Sequence, residues 1–207
     1  MIRSTIFLIF LFLLFSCKKK DETLDLKYEV LNQLIDEDIV NDKVFTDDNS
    51  YLYKILKPSD IAFKVKVTNY DEPPPPPSTS GTIYLPEDGI FCKEDLKYIK
   101  IQLKTNSNFV LNTARITSKV DFINEEKLYK IRENYKSAED YWMQFRREFG
   151  NKCIRSYSIP YFNKEKNICI VITSMSCGPL EGGGNTAIFK KINGKWKVIQ
   201  TLDQWVS

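Results

Sequence analysis

The chain has 207 residues, 43% of them hydrophobic and 13% aromatic, with 30 basic and 27 acidic side chains and no histidine. That length and apolar content suit one domain with a sizeable core. The near-balanced charge, with no basic cluster interleaved with aromatics, gives no sign of a nucleic-acid partner. The missing histidine excludes Ser-His-Asp and Cys-His catalysis and disfavours catalytic zinc, whose ligands are mostly imidazoles. No cofactor or metal is expected.

At the start, Arg3 supplies a positive charge and Ile6–Phe15 is an unbroken apolar run. It is too short to span a bilayer, which takes about 20 residues, and has the length of a signal-peptide core. Leu14-Phe15-Ser16-Cys17 follows and resembles the lipobox of bacterial lipoproteins, although Phe15 is bulkier than that family usually carries. In that family a small residue precedes a cysteine whose thiol takes a diacylglycerol before cleavage exposes its amine. The resemblance implies that residues 1–16 are a signal peptide, that cleavage falls between Ser16 and Cys17, and that Cys17 is the lipid attachment site. A plain secretory peptide with an incidental cysteine is the alternative. Acyl chains on both the glycerol and the amine give firm anchoring. The tether 17–22, rich in lysine and acid, resembles the export tags that carry some Gram-negative lipoproteins to the outer face of the outer membrane; an ordinary solvated tether explains it equally. The expected location is therefore the outer membrane, lipid-anchored, on its periplasmic face or at the cell surface.

Residues 23–207 read as a single α+β domain. Thr23–Val40 predicts a helix, with Leu24, Tyr28, Leu31 and Ile35 on one face, Thr23 as its cap and Asp25 in its first turn. Ile61, Phe63, Val65 and Val67 alternate with more polar residues as in a half-buried strand. Residues 69–81 form a connection containing Pro73–Pro77, which favours polyproline II and cannot join a sheet ladder; it is a stiff surface loop or a docking peptide. Thr82–Leu85 predicts a short strand, Lys93–Lys104 a helix with Leu96, Ile99 and Leu103 inward, and Phe109–Ile123 extended chain. Ser137–Phe149 predicts a helix with a capping-box pattern at Ser137 and Asp140 and Gly150 at its end. Ile154–Phe162, Ile168–Ser176, Thr186–Ile192 and Lys195–Leu202 predict four successive antiparallel strands, the last two joined by a type I′ turn at Asn193-Gly194. This four-stranded meander is expected to pack against two or three helices.

The C-terminal block carries Ser158-Ile159-Pro160-Tyr161-Phe162, then Cys177-Gly178-Pro179-Leu180-Glu181-Gly182-Gly183-Gly184, Gly194-Lys195-Trp196-Lys197 and Trp205-Val206-Ser207. It resembles the end of a group of uncharacterised Gram-negative lipoproteins. The resemblance spans about sixty residues, extends more weakly to the Trp142–Gly150 helix, and implies a fold more than an activity. A second cysteine often stands in that group where this chain has Glu181, so no cysteine pair within the turn carries over.

Besides Cys17 there are Cys92, Cys153, Cys169 and Cys177, which an exported chain can oxidise. With Asn163–Asn167 as a hairpin loop, Phe162 faces Ile168, and the same register sets Cys153 opposite Cys177 within disulfide reach. Free buried thiols are the alternative. Cys169 sits in an apolar run and reads as core. Gly182, Gly183 and Gly184 suggest a loop that presents backbone N–H groups to an anion, or a tight inter-strand loop; no histidine exists to activate Cys177 beside it. Tyr51, Tyr53, Trp142, Trp196 and Trp205 offer a stacking surface for sugars or peptides, or ordinary core packing. Asp47-Asp48 and Glu125-Glu126 lack a calcium-loop pattern and read as solvated charges. The leading expectation is a membrane-anchored, non-catalytic binding or interaction domain for an unknown protein or small molecule. The rivals are an envelope enzyme with a glycosidase-like carboxylate pair and a structural or inhibitory envelope protein.

Overall fold

A computed structural model describes residues 21–41, 50–56, 58–59, 61–63, 82–105, 109–133 and 135–207. The signal segment, Cys17, Val65, Val67 and the proline-rich stretch lie outside those residues.

The first helix, α1 (Leu24–Asn41), buries Lys27, Tyr28, Val30, Leu31, Leu34 and Ile35. Its start is organised by Asp21 rather than by the expected Thr23 cap. The Asp21 carboxylate accepts the Thr23 N–H at 2.9 Å, the Thr23 hydroxyl at 2.6 Å and the Lys27 ammonium at 2.7 Å. Short strands follow: β1 (Ser50–Tyr53), β2 (Ile55–Leu56), β3 (Ile61–Phe63) and β4 (Ile83–Leu85). Helix α2 (Lys93–Thr105) turns Ile99 fully inward with Leu96 and Leu103 beside it. The expected extended stretch 109–123 is two short strands, β5 (Phe109–Val110) and β6 (Asp121–Ile123), separated by a 3₁₀ turn at Thr113–Arg115. Asn112 begins that turn by accepting the Ala114 N–H, a local side-chain bond that competes with continued strand.

Helices α3 (Glu125–Arg132) and α4 (Ala138–Phe149) come next, followed by β7 (Cys153–Tyr157), β8 (Tyr161–Phe162), β9 (Ile168–Gly178), β10 (Glu181–Ile192) and β11 (Lys195–Val206). Ser137 caps α4 by accepting the Asp140 N–H at 3.2 Å, and Gly150 closes it at φ +80°. The architecture is α+β, and the last five strands form the antiparallel meander, β7 and β8 both pairing with β9. Asn193 and Gly194 both have positive φ, as the two-residue turn between β10 and β11 requires.

The sheet runs β11-β10-β9-β7-β1-β6, so two further strands extend the meander, and both β7–β1 and β1–β6 are parallel. Alternation along this added part divides the core in two. Leu52 and Phe122 point into a large cluster with α1, α2 and the meander, while Tyr51, Tyr53, Ile123 and Ile154 point into a smaller one under α3 and α4. The two clusters thus lie on opposite faces of the same strands. Two glutamines fasten helices to strands on the larger side. The Gln33 side chain donates to the Trp196 carbonyl at 2.5 Å and accepts its N–H at 2.8 Å, and Gln102 does the same for Phe162 at 2.7 and 3.1 Å. Each amide replaces one rung of a ladder, leaving no orphaned backbone group at those points.

Candidate functional site

The smaller core is built from an aromatic ladder on α4. Trp142, Phe145 and Phe149 recur at three- and four-residue intervals and so share one face. Their rings meet at 5.1 Å (Trp142–Phe145) and 5.0 Å (Phe145–Phe149), and Tyr51 closes on Phe149 at 5.7 Å. Leu128 and Ile131 of α3 complete the packing. One side of this cluster is left open. There a cleft of about 390 Å³ lies between the α3–α4 pair and strands β1, β7 and β9.

Tyr53, Tyr135, Tyr141 and Trp142 wall the cleft, Ile154, Ser156 and Ser176 come from the sheet, and Arg132 projects from the end of α3. Its volume falls within the usual range for small-ligand sites, and its lining mixes aromatic surface with a few polar groups. Tyr135 packs edge-on against Tyr141 at 5.7 Å, and Tyr141 against Trp142 at 5.5 Å. Burial pushes the Tyr141 phenol up, only partly offset by the charge of Arg132 beside it. The group therefore stays protonated at neutral pH, able to donate or accept. Arg132 reaches Glu125 at 2.7 Å, both side chains nearly half exposed. Such a pair contributes at most about 1 kcal/mol, so a ligand acid can compete for the guanidinium. The Ser156 and Ser174 hydroxyls bond to each other at 2.7 Å, leaving Ser176 as a further hydroxyl on the cleft.

Next to this cleft the chain is cross-linked. Cys153 and Cys177 form a disulfide with Cα atoms 4.2 Å apart, and each adjoins a cleft residue, Ile154 or Ser176. The register that leads there differs from the expected one. Phe162 faces Cys169 rather than Ile168, so an uninterrupted ladder would set Cys153 against Gly178. One extra residue in Ser158-Ile159-Pro160 shifts the pairing by one, and Ile154 then faces Ser176. Cys169 is fully buried, and burial pushes its thiol well up; Cys92 is exposed, with its thiol raised by a hydrogen bond to Asp95.

The expected glycine loop is not a loop. Gly182, Gly183 and Gly184 lie inside β10, opposite Ser176, Met175 and Ser174 of β9. The connection is only the turn around Pro179-Leu180, and the glycine backbone belongs to the ladder rather than to an anion nest. Their small size answers a steric demand. A Cβ at Gly184 would lie 2.6 Å from the Thr173 carbonyl and 2.7 Å from Nε1 of Trp205, so the Trp205 ring needs this bare backbone.

The structure also divides the aromatic candidates. Tyr53 and Trp142 come together in the cleft, Tyr51 packs behind it, Trp196 is core, and Trp205 is exposed on β11. Tyr135, Tyr141 and Arg132 belong to the site but carry no distinctive signal in the sequence; the nearest hint is the polar, aromatic-bearing connection just before Ser137. Among the described residues, no group of three or more Cys, Asp or Glu side chains is placed to hold a metal ion, and no helix is long and apolar enough to cross a membrane. Protein-family models, curated proteins and solved structures include no match to this chain.

Proposed function

We propose that this chain is an exported lipoprotein, tethered through Cys17 to the outer membrane, whose α+β body binds a small polar ring-bearing ligand without transforming it. The cleft under α3 and α4 carries the binding half of this reading. Tyr53, Tyr135, Tyr141 and Trp142 give faces for a sugar-like ring, the serine hydroxyls give hydrogen bonds, and Arg132 suits an acidic substituent. A carboxylate-pair hydrolase would set two acids about 5–9.5 Å apart across its cleft; the lining here offers tyrosine, serine and arginine instead. The Cys153–Cys177 bond is in keeping with an oxidising compartment.

One observation favours a protein partner as a second reading. Leu180 and Val206 are 79% and 83% exposed, and Trp205 is also open, at the end of the sheet that carries the disulfide. Such a patch suits contact with another envelope protein.

Two experiments test the main reading. Cells fed an alkynyl fatty acid should label the wild-type chain and not the Cys17→Ser variant; an unlabelled wild type would remove the anchor. Titration of the mature chain with short neutral and acidic glycans should show binding that Arg132→Ala weakens about tenfold for the acidic set, as expected for loss of a charge-assisted hydrogen bond. Equal affinity for both proteins would remove Arg132 from the site.

A further inference from the structure

The described chain begins at Asp21, and Asp21 is already fixed to the body through Thr23 and the fully buried Lys27. Only three residues lie between it and Cys17, so the four residue steps span at most about 14 Å even fully extended. A lipid on Cys17, the anchor proposed under the function above, therefore holds the body by this end, close to the bilayer surface. Which side of the body then meets the lipid is decided by charge.

What surrounds Asp21 is basic. Glu22 is held at 3.0 Å by Lys166, which lies in the β8–β9 loop together with the exposed Lys164. Ile168, just after that loop, pairs with Lys190, so the β10–β11 hairpin projects from the same end. That hairpin exposes Lys190, Lys195 and Lys197. Of the acids nearby, Glu29 is bound by Lys191 at 2.6 Å, Asp95 accepts the Lys164 N–H at 2.9 Å, and Glu165 accepts a hydrogen bond from the Asn167 amide. The result is an exposed lysine cluster at the end where the tether leaves.

The cleft is at the other end. Ser176 lines it, and the run from Ile168 to Ser176 covers roughly 26 Å along β9 at about 3.3 Å per residue. Helix α1 gives a second ruler in the same sense. It starts beside Glu22, and Asp38, roughly 21 Å up the helix at 1.5 Å per residue, bonds Arg155 and Tyr157 of β7.

We infer that the lysine-bearing end, formed by the β8–β9 loop and the β10–β11 hairpin, rests on the anionic lipid surface of the leaflet that holds Cys17, and that the aromatic cleft is displayed outward from it. Charge complementarity selects this occupant, since basic side chains beside a lipid anchor are drawn to anionic headgroups and supply a second membrane signal.

The test uses the lipidated mature protein, with Cys92→Ser, reconstituted in phosphatidylcholine vesicles with or without phosphatidylglycerol. An environment-sensitive dye is placed at Lys195→Cys in one sample and at Met143→Cys of α4 in another, and each is exposed to headgroup-nitroxide lipid. The expected result is several-fold stronger quenching at position 195 than at 143 in the anionic vesicles. Replacing Lys164, Lys190 and Lys197 by Glu should abolish that difference. Equal quenching at both positions, stronger quenching at 143, or a pattern unchanged by the three substitutions would overturn the inference. Fatty-acid labelling of Cys17 in the same preparation separates the two failures. A labelled protein with the wrong quenching pattern defeats this orientation alone, and an unlabelled one defeats the anchor beneath it.

Discussion

The two cores of this protein are built from different materials and finished to different degrees. The larger one joins α1 and α2 to the meander through aliphatic residues such as Leu31, Ile99, Ile170 and Val171, each without measurable exposure, and is closed by Trp196. The smaller one is dominated by rings, drawn from β1 and α4 across about ninety residues of chain, and it is left open on one side. In the larger core, hairpins and helix faces close over fully buried side chains. In the smaller core, stiff aromatic side chains are held firmly at their backs but not covered in front. Because the clusters occupy opposite faces of the same strands, the open one borrows its rigidity from the closed one.

The largest expected effects probe that dependence. Phe162→Ala in the closed core and Phe145→Ala behind the cleft both remove fully buried rings, and each should lower the unfolding free energy by about 3–5 kcal/mol. Urea unfolding of either variant should remain a single transition. A separate early transition in Phe145→Ala would show that the small core is an independent unit. Loss of the cross-link comes next. The Cys153–Cys177 bond closes a segment of 24 residues' separation, and Cys153→Ala with Cys177→Ala should cost about 3 kcal/mol in the same assay. Ligand affinity should fall with it, because the neighbouring residues Ile154 and Ser176 line the cleft.

Alkaline titration probes the larger core in another way. Burial holds Tyr161 of the larger cluster up to about 12, and the Ser59 N–H on its oxygen only partly offsets this; burial and the Asp38 carboxylate push Tyr157 well above its ordinary value. The unfolded chain ionises its tyrosines near pH 10. Stability is therefore fully present below about pH 10 and should fall as pH rises toward the native values, because only the unfolded state releases those protons. Tyr161→Phe should flatten part of that decline in denaturant midpoints measured between pH 9 and roughly 12; an unchanged slope would show that this phenol does not titrate with unfolding. The smallest effect is local: Ser137→Ala removes the α4 cap and should cost about 1 kcal/mol, read as faster amide exchange in the first turn of α4.

The same division governs how much the sequence reveals. The meander is legible because its strands follow one another: Asn193-Gly194 marks its last turn and alternation marks its faces. Helix α4 is legible from Ser137, Asp140 and Gly150. Strand β1 is not, because Ser50–Tyr53 pairs in parallel with β7 about a hundred residues later, and no local period carries that pairing. The glycine triplet misleads for a related reason. Glycine usually marks a loop, and here the close approach of the Thr173 carbonyl and the Trp205 ring to Gly184 accounts for it inside a strand. The Cys153–Cys177 pairing is reached in the sequence through a register that is off by one at the hairpin, and the extra residue at Ser158–Pro160 compensates. The cleft is legible only in part. Tyr53 and Trp142 stand out as aromatics, but that they meet Arg132, Tyr135 and Tyr141 depends on α3 and α4 folding back over β1.

Binding of a ligand in the open aromatic core can be read from the tryptophans. Their indole N–H groups report from three places: Trp142 in the cleft, Trp196 in the closed core and Trp205 on the exposed strand. With ¹⁵N-tryptophan labelling and assignment by single Trp→Phe variants, the mature chain would be titrated with the glycan set. Binding in the cleft should shift the Trp142 signal saturably and leave Trp196 and Trp205 unmoved; a Trp142 signal that stays fixed while Trp205 shifts would place the ligand on the exposed strand instead.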